Sequence, residues 1–239
     1  MIALFKTIIY TPLYNFFILL LNISWIDAGV ATIILTVLVK MILYPISKKS
    51  IITQLKMKEK EGELSRIKEK YQDRQEQALK VMEFYKTNNI NPFASILTVI
   101  IQIPIILSLY YVFFKSGLPN VDTALLYSFI KVPDLISMNF LGFLDVSKES
   151  IILAILAALS TFWQMHLSTT SAGSSALQAR AGKEDFAQTM AKQMKYTMPI
   201  IVFFVSWKIS GVVALYWFVS NLVGIAQDLY IKKNLAKPI

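Results

Sequence analysis

The sequence predicts an all-α integral membrane protein: a five-transmembrane-helix core with an N-terminal interfacial helix and a cytoplasmic helical hairpin. Three observations predict it. Of the 239 residues, 55% are hydrophobic and 16% charged, whereas soluble domains run near roughly 45–50% and about 25%. Mean hydropathy is +0.54, and several apolar runs approach the roughly 20 residues that a helix needs to cross a bilayer. The 24 lysines and arginines are gathered into particular connecting segments.

Residues 1–26 contain IIYTPLYNFFILLLNISWI, long enough to span. Thr7, Thr11, Asn15 and Asn22 recur on one helical face, which favours a helix lying in the interface with its polar stripe toward water. The first span is expected over 27–49, built on the apolar run 28–46. Residues 50–90 mix charges with sparse apolar positions and predict a cytoplasmic hairpin of two amphipathic helices turning near Gln72–Asp73. Its seam is expected along Leu64, Ile67 and Tyr71 on one side and Leu79, Met82 and Tyr85 on the other. The hairpin reads either as a solvated linker or as a docking or lid element. Its basic excess favours anionic lipid headgroups or ribosomal RNA through phosphate attraction.

The second span is expected over 91–114, opened by Asn91-Pro92 and kinked by Pro104, because proline suits a first turn and breaks an interior one. An external loop follows over 115–150, whose FIKVPDLISMNFLGFL carries aromatic and leucine side chains expected to rest on the membrane surface. The third span is expected over 151–168, a flexible cytoplasmic loop over 169–195 and the fourth span over 196–208. Ile209-Ser210-Gly211 makes a tight turn into a fifth span over 211–231, and 232–239 forms a cytoplasmic tail. Trp25 and Trp207 sit near expected outer boundaries, as interfacial aromatics do.

Orientation follows from the positive-inside bias. Residues 46–91 hold eleven basic side chains, whereas 115–150 holds three against four acids. Residues 169–195 hold four, and Lys232, Lys233 and Lys237 follow in the tail. The N-terminus is therefore expected outside and the C-terminus in the cytoplasm.

The chain has no cysteine and one histidine, His166. Disulfides, thiol chemistry and clustered metal ligands are excluded on that count. No paired intramembrane carboxylate, serine–histidine arrangement with a placed acid or glycine-rich phosphate loop stands in the sequence, so neither catalysis nor a cofactor is expected. What stands out is polarity within spans. Thr32, Thr36 and Lys40 fall at i, i+4 and i+8 of the first. Gln102 lies in the second; Ser160, Gln164 and Ser168 mark the third; Trp217, Ser220, Asn221, Gly224 and Asp228 share a face of the fifth. Such residues usually face a bundle interior or a wet cavity. Lys40 lies five residues before Pro45, about 7.5 Å along a helix, so its stem could also snorkel to the headgroups. The threonines extend the stripe deeper than a boundary anchor requires. Gln164 has an ordinary reading as an interhelical hydrogen bond, and Trp217 as a packing residue.

Several stretches resemble YidC-type membrane protein insertases. They are TVLVKMILYPISKKS, KMKEKEGELSRIKEKYQD, EFYKTNNINPFASILTVIIQIPIILSLYYVFF, FLGFLDVS and MPIIVFFVSWKISGVVALYWFVSNLVGIAQ, preceded by PLYNFFILLLNI. The resemblance covers roughly residues 9–235 in order. It implies a hydrophilic groove open to cytoplasm and lipid but closed outside, holding a positive charge that falls on Lys40, with Gln164 and Trp217 lining it. The substrate-binding groove is then expected to comprise Thr32, Thr36, Lys40, Gln102, Gln164, Trp217 and Ser220. The family usually has arginine at the position of Lys40 and proline at that of Gly62. Lysine is a compact, strongly hydrated charge without arginine's planar fork, so the resemblance implies a site that water reaches.

The function so implied is insertion of nascent membrane proteins from the cytoplasm into the bilayer of a bacterial cytoplasmic membrane, without catalysis or cofactor. The implied partners are nascent membrane proteins, membrane lipids, a weakly held ribosome and, as a further candidate, a Sec-type translocon; no specific nucleic acid is expected. A small anion or solute transporter or channel subunit using Lys40 as its binding site is the alternative, although no internal repeat of the kind common in transporters is evident. A bundle scaffold or assembly chaperone is the third reading, and it would tolerate loss of Lys40.

Overall fold

The computed structural model describes residues 5–91, 94–115, 118–167 and 184–235. Pro92 and Phe93, residues 168–183 of the expected loop and the end of the tail lie outside the described residues. Nine α-helices and one two-stranded hairpin are described. The helices are α1 (Thr11–Leu21), α2 (Ala28–Ile42), α3 (Tyr44–Glu59), α4 (Glu61–Lys70), α5 (Arg74–Thr87), α6 (Ala94–Tyr110), α7 (Ile151–Leu167), α8 (Glu184–Ile209) and α9 (Gly211–Leu235). Wide helical turns at Lys6–Tyr10 and Tyr111–Lys115 lead into α1 and out of α6. Strands β1 (Asn139–Phe140) and β2 (Leu144–Asp145) pair antiparallel.

Two element boundaries differ from expectation. The run 27–49 is not one helix, because it breaks at Leu43 and restarts at Tyr44. Pro45 has no N–H to give to the Met41 carbonyl and suits the first turn of a new helix. The fourth apolar segment is the C-terminal half of α8, so the expected loop 169–195 is helical from Glu184 onward. By length and composition, Gly211–Asn234 is one described helix able to cross a membrane, and Ala28–Ile42 with Tyr44–Glu59 forms a broken pair that passes together. Ile100–Phe113 and Ile151–Leu167 are shorter apolar helices.

The chain divides into two compact units. The first comprises Met1–Ile42, Ile100–Thr161 and Pro199–Gly224. Tyr14, Phe17, Ile18, Leu109, Val112, Val212 and Val213 are buried at its core. Phe17 meets Phe113 edge-on, with ring centroids 5.3 Å apart. The segment between α6 and α7 is tied to two helices, α2 and α9, through three backbone hydrogen bonds. Ala28 N donates to Ser137 O at 2.9 Å, Gly211 N to Lys148 O at 2.7 Å and Val212 N to Val146 O at 2.9 Å. These bonds satisfy N–H groups that the first turns of α2 and α9 would leave unpaired. Asp27 caps α2 through Val30 N and also accepts from Leu141 N in the hairpin turn, at 2.9 and 3.0 Å. Gly29 lets Phe140 seat against α2, since a Cβ there would lie 2.3 Å from the ring.

The polar stripe of α1 and the turn before it is not uniform: Thr7 and Asn22 are exposed, Thr11 is half-buried and Asn15 is turned inward. Asn15 is 1% exposed; its amide donates to Leu125 O and its carbonyl accepts from Tyr127 N, at 2.8 and 2.7 Å. Asn22 donates to Lys131 O at 2.9 Å. Pro12 and Leu19 of α1 are exposed as well, with Ile8 before it and Ile23 after it. Asn15 turns inward where the loop backbone it meets needs hydrogen-bond partners.

The second unit comprises Leu43–Val99, Phe162–Met198 and Ile225–Ile239. Helices α3, α4 and α5 share a small core of Met57, Leu64, Val81, Phe84, Tyr85 and Ile90, with Ile67 against it. Leu79 and Met82, expected in this seam, are 70% and 64% exposed. Asp73 accounts for the shift in phase: its carboxylate caps Gln75 N and Glu76 N, so α5 starts afresh there. Gln77 then reaches back to Lys68 O and Tyr71 O at 2.7 and 3.0 Å, closing the end of α4.

Candidate functional site

The residues of the first span's stripe take two different environments. Thr32 and Thr36 are fully buried, and each hydroxyl donates to the carbonyl four residues earlier, Ala28 at 2.7 Å and Thr32 at 2.6 Å. This back-bonding lets a hydroxyl face a packed interior without an unsatisfied donor. Lys40, one turn beyond Thr36, is half-buried near the end of α2. The stripe therefore runs from a closed, self-satisfied end to a charged end.

A small cavity of about 10 Å³ opens beside Thr36, lined also by Val39, Ile105, Ser108 and Tyr216. That is about the room one water needs. Ser108 donates to Pro104 O at 2.8 Å, one turn after the proline that interrupts α6. On its other side Tyr216 is hydrogen-bonded by the Gln102 side-chain amide and meets the Ser220 hydroxyl. Gln102 and Ser220, selected from two different spans, are thus brought together on one phenol, and Thr36 shares a cavity wall with it.

Tyr216 is the residue that sequence reading missed. It stands directly before Trp217 and carries no polar signal of its own in the sequence. Trp217 itself is half-buried. Asn221 donates to Ser160 Oγ at 3.0 Å and Thr161 Oγ1 at 2.7 Å, joining α9 to α7. Gln164 is half-buried and belongs to the second unit. There Asp228 pairs with Lys232 at 2.6 Å, and Lys232 also donates to Leu167 O at 2.5 Å, capping the end of α7. Among the described residues no group of histidine, aspartate and glutamate side chains is placed to hold a metal.

This arrangement offers hydrogen-bonding side chains and a cation along otherwise apolar helices. The profile of the family described as 60Kd inner membrane protein matches residues 19–238. A membrane protein insertase YidC of Clostridium tetani is 30% identical over 206 residues, 86% of this chain and 81% of that protein. The insertase YidC of Fusobacterium nucleatum is 30% identical over 230 residues, 95% of this chain and 98% of its own. That of Wolinella succinogenes is 32% identical over 210 residues, which is 87% of this chain and 34% of that longer protein. Matched along nearly its whole length, this chain belongs to the YidC family of membrane protein insertases.

Proposed function

We propose that this chain inserts nascent membrane proteins through a wet groove formed by Thr32, Thr36, Lys40, Gln102, Gln164, Trp217 and Ser220. As a family member it is a multi-pass insertase of the cytoplasmic membrane and not an enzyme. The observation that carries the reading is the near full-length match to an insertase of the same size. The finer topology has five spans, the first unit's α6–α7 connection outside and the α3–α5 hairpin in the cytoplasm, and it rests on the basic bias. Eleven lysines and arginines lie in 46–91, against three in 115–150.

The physical step is the removal of a polar tail from water. A chain segment crossing hydrocarbon loses hydrogen bonds to its backbone, at several kcal/mol per unsatisfied group. A groove lined by hydroxyl, amide and ammonium groups shortens the dry path, and Lys40 attracts an acidic tail transiently. Partition of the substrate's apolar helix into lipid then drives the transfer. Ribosomes and a Sec-type translocon are proposed as delivery partners, the first through the basic hairpin.

Reconstitution tests this. Proteoliposomes holding this chain alone, given a single-span substrate with an acidic N-tail, should insert it above protein-free vesicles. Lys40→Arg should keep the activity, and Lys40→Gln should lose most of it for the acidic tail. Anion uptake without insertion would favour the transporter reading. A cysteine at position 36 or 40 should react with a water-soluble reagent added from the cytoplasmic side; protection from it rejects a hydrated groove.

A further inference from the structure

The α6–α7 connection contains a residue that breaks two rules at once. Leu141 holds a left-handed backbone, φ +52°, followed by Gly142 at φ +82°. That region costs a leucine about 1–3 kcal/mol and is the usual place for asparagine or glycine. The Leu141 side chain is nonetheless exposed at the tip of the β1–β2 hairpin, beside Phe143 at 77% exposure. An apolar side chain in strained backbone gains nothing from water. The strain is held from below, because Asp27 at the start of α2 accepts the Leu141 N–H and Phe140 fills the notch at Gly29.

The tip has companions within the same unit. Phe129 is 76% exposed, Leu135 84% and Trp25 73%. Tyr127 stacks on Phe129 with centroids 5.6 Å apart. Asn15 and Asn22 bind the backbone of this connection to α1, whose exposed side chains include Pro12 and Leu19, with Ile8 before it and Ile23 after it. The exposed apolar side chains of α1, Trp25 and the loop therefore stand on elements that these bonds hold together. Clustered exposed apolar side chains of this kind mark interaction surfaces, membrane contacts among them.

We propose that the tips of this connection (Phe129, Leu135, Leu141 and Phe143) together with Trp25 insert into the outer leaflet as a wedge that anchors the first unit at a set depth. The occupant is lipid, at the boundary of headgroups and acyl chains, where aromatic rings favour binding. What selects lipid over a second protein is that the chain belongs to a membrane protein family and that the connection is bonded to α1, an apolar helix with exposed Leu19. The same connection bonds the first residues of α2 and α9, so the wedge sets the depth of the helices that carry Thr36, Lys40 and Tyr216. The proposal rests on the reading that places residues 115–150 outside.

The chain has no cysteine, so single cysteines can be introduced at 129, 135 and 143 and spin-labelled in the full chain. The chain is reconstituted in phosphatidylethanolamine–phosphatidylglycerol vesicles. Collision rates with oxygen and with a water-soluble nickel chelate, loaded on both sides, give depth. Labels at all three positions should favour oxygen, and a label at exposed Asn120 should favour nickel. Nickel access at the three tips overturns the proposal. So does shielding from both reagents, which would mean that a protein covers them. Leu141→Asn relieves the backbone strain, so thermal stability in detergent should hold or rise while the label at 143 moves toward nickel. Unchanged depth there overturns the role of the tip. Depth is measured without substrate, so failure of insertion and failure of the wedge are read separately.

Discussion

In the first unit, polar side chains bond across long stretches of sequence: Asn15 to Leu125 and Tyr127, Asn22 to Lys131, Asp27 to Leu141, and Asn221 to Ser160 and Thr161. In the second they mostly bond within a turn or two, as in Lys60–Glu63, Lys80–Glu83 and Asn88–Phe84. Lys232 to Leu167 is a longer reach there. The first pattern makes helices depend on one another, so a local error spreads. The second makes a hairpin that folds largely on its own contacts and opens on its own. Low-stability segments of this kind are where proteins place moving parts.

The largest expected effect breaks the second unit alone. Phe84 is buried in the hairpin core, and Phe84→Ala should cost about 3 kcal/mol of local stability. Hydrogen exchange and limited proteolysis over 44–90 should rise sharply. Exchange at Ala31, Leu109 and Val213 in the first unit should stay as in the parent. Equal loss in both units would mean that the hairpin is not separable.

The next effect belongs to the first unit. Gly29→Ala drives a methyl into the Phe140 ring near its root, with Cγ and Cβ at 2.5 and 2.7 Å. The clash should cost about 2 kcal/mol, lowering the midpoint of unfolding in detergent and loosening the β1–β2 hairpin. Phe140→Ala in the same chain should recover part of it. No recovery would place the cost in α2 itself.

How much of this was legible in sequence differs between the same two regions. Helical segments were legible because long apolar runs and prolines are local signals, and Asp73 with Glu76 marks a helix start from composition alone. The seam of α5 was misread, since Leu79 and Met82 continue a phase that the Asp73 cap resets. The inward turn of Asn15 had no local signal, because its partners lie 110 and 112 residues away. Gln102 and Ser220 were visible as polar exceptions in spans; Tyr216, which joins them, was not, because it carries no polar signal of its own there. The family resemblance supplied the groove that periodicity left open between two readings of Lys40.

A smaller effect sharpens the contrast by improving the weaker unit. Gly62 lies in the first turn of α4, and a Cβ there would meet open space. Gly62→Ala should stabilise the hairpin by about 0.5 kcal/mol, chiefly by restricting the unfolded chain. Slower exchange in α4, with the first unit unchanged, is the result to look for. A loss of stability would show that the glycine serves a bend which the helix needs.

The smallest effect is a titration at the edge of the first unit. Hydrogen bonds from Ser147, then the Lys148 ammonium at 2.9 Å, hold the Asp145 carboxyl below the usual carboxylate range. A depressed folded-state pKa means that the ionised form is bound more tightly when folded. Its contribution is therefore fully present above the ordinary carboxylate pKa and is lost as pH falls through the lower folded value. The carboxylate is half-buried at the surface and its Lys148 partner is exposed, so solvent screens part of this. Exchange of the Ser147 amide should accelerate only in that acidic window, after correction for intrinsic rates. Asp145→Asn should abolish the acid-dependent step while leaving the Val146–Val212 bond in place. Acceleration that persists in the variant would assign the step to a group other than Asp145.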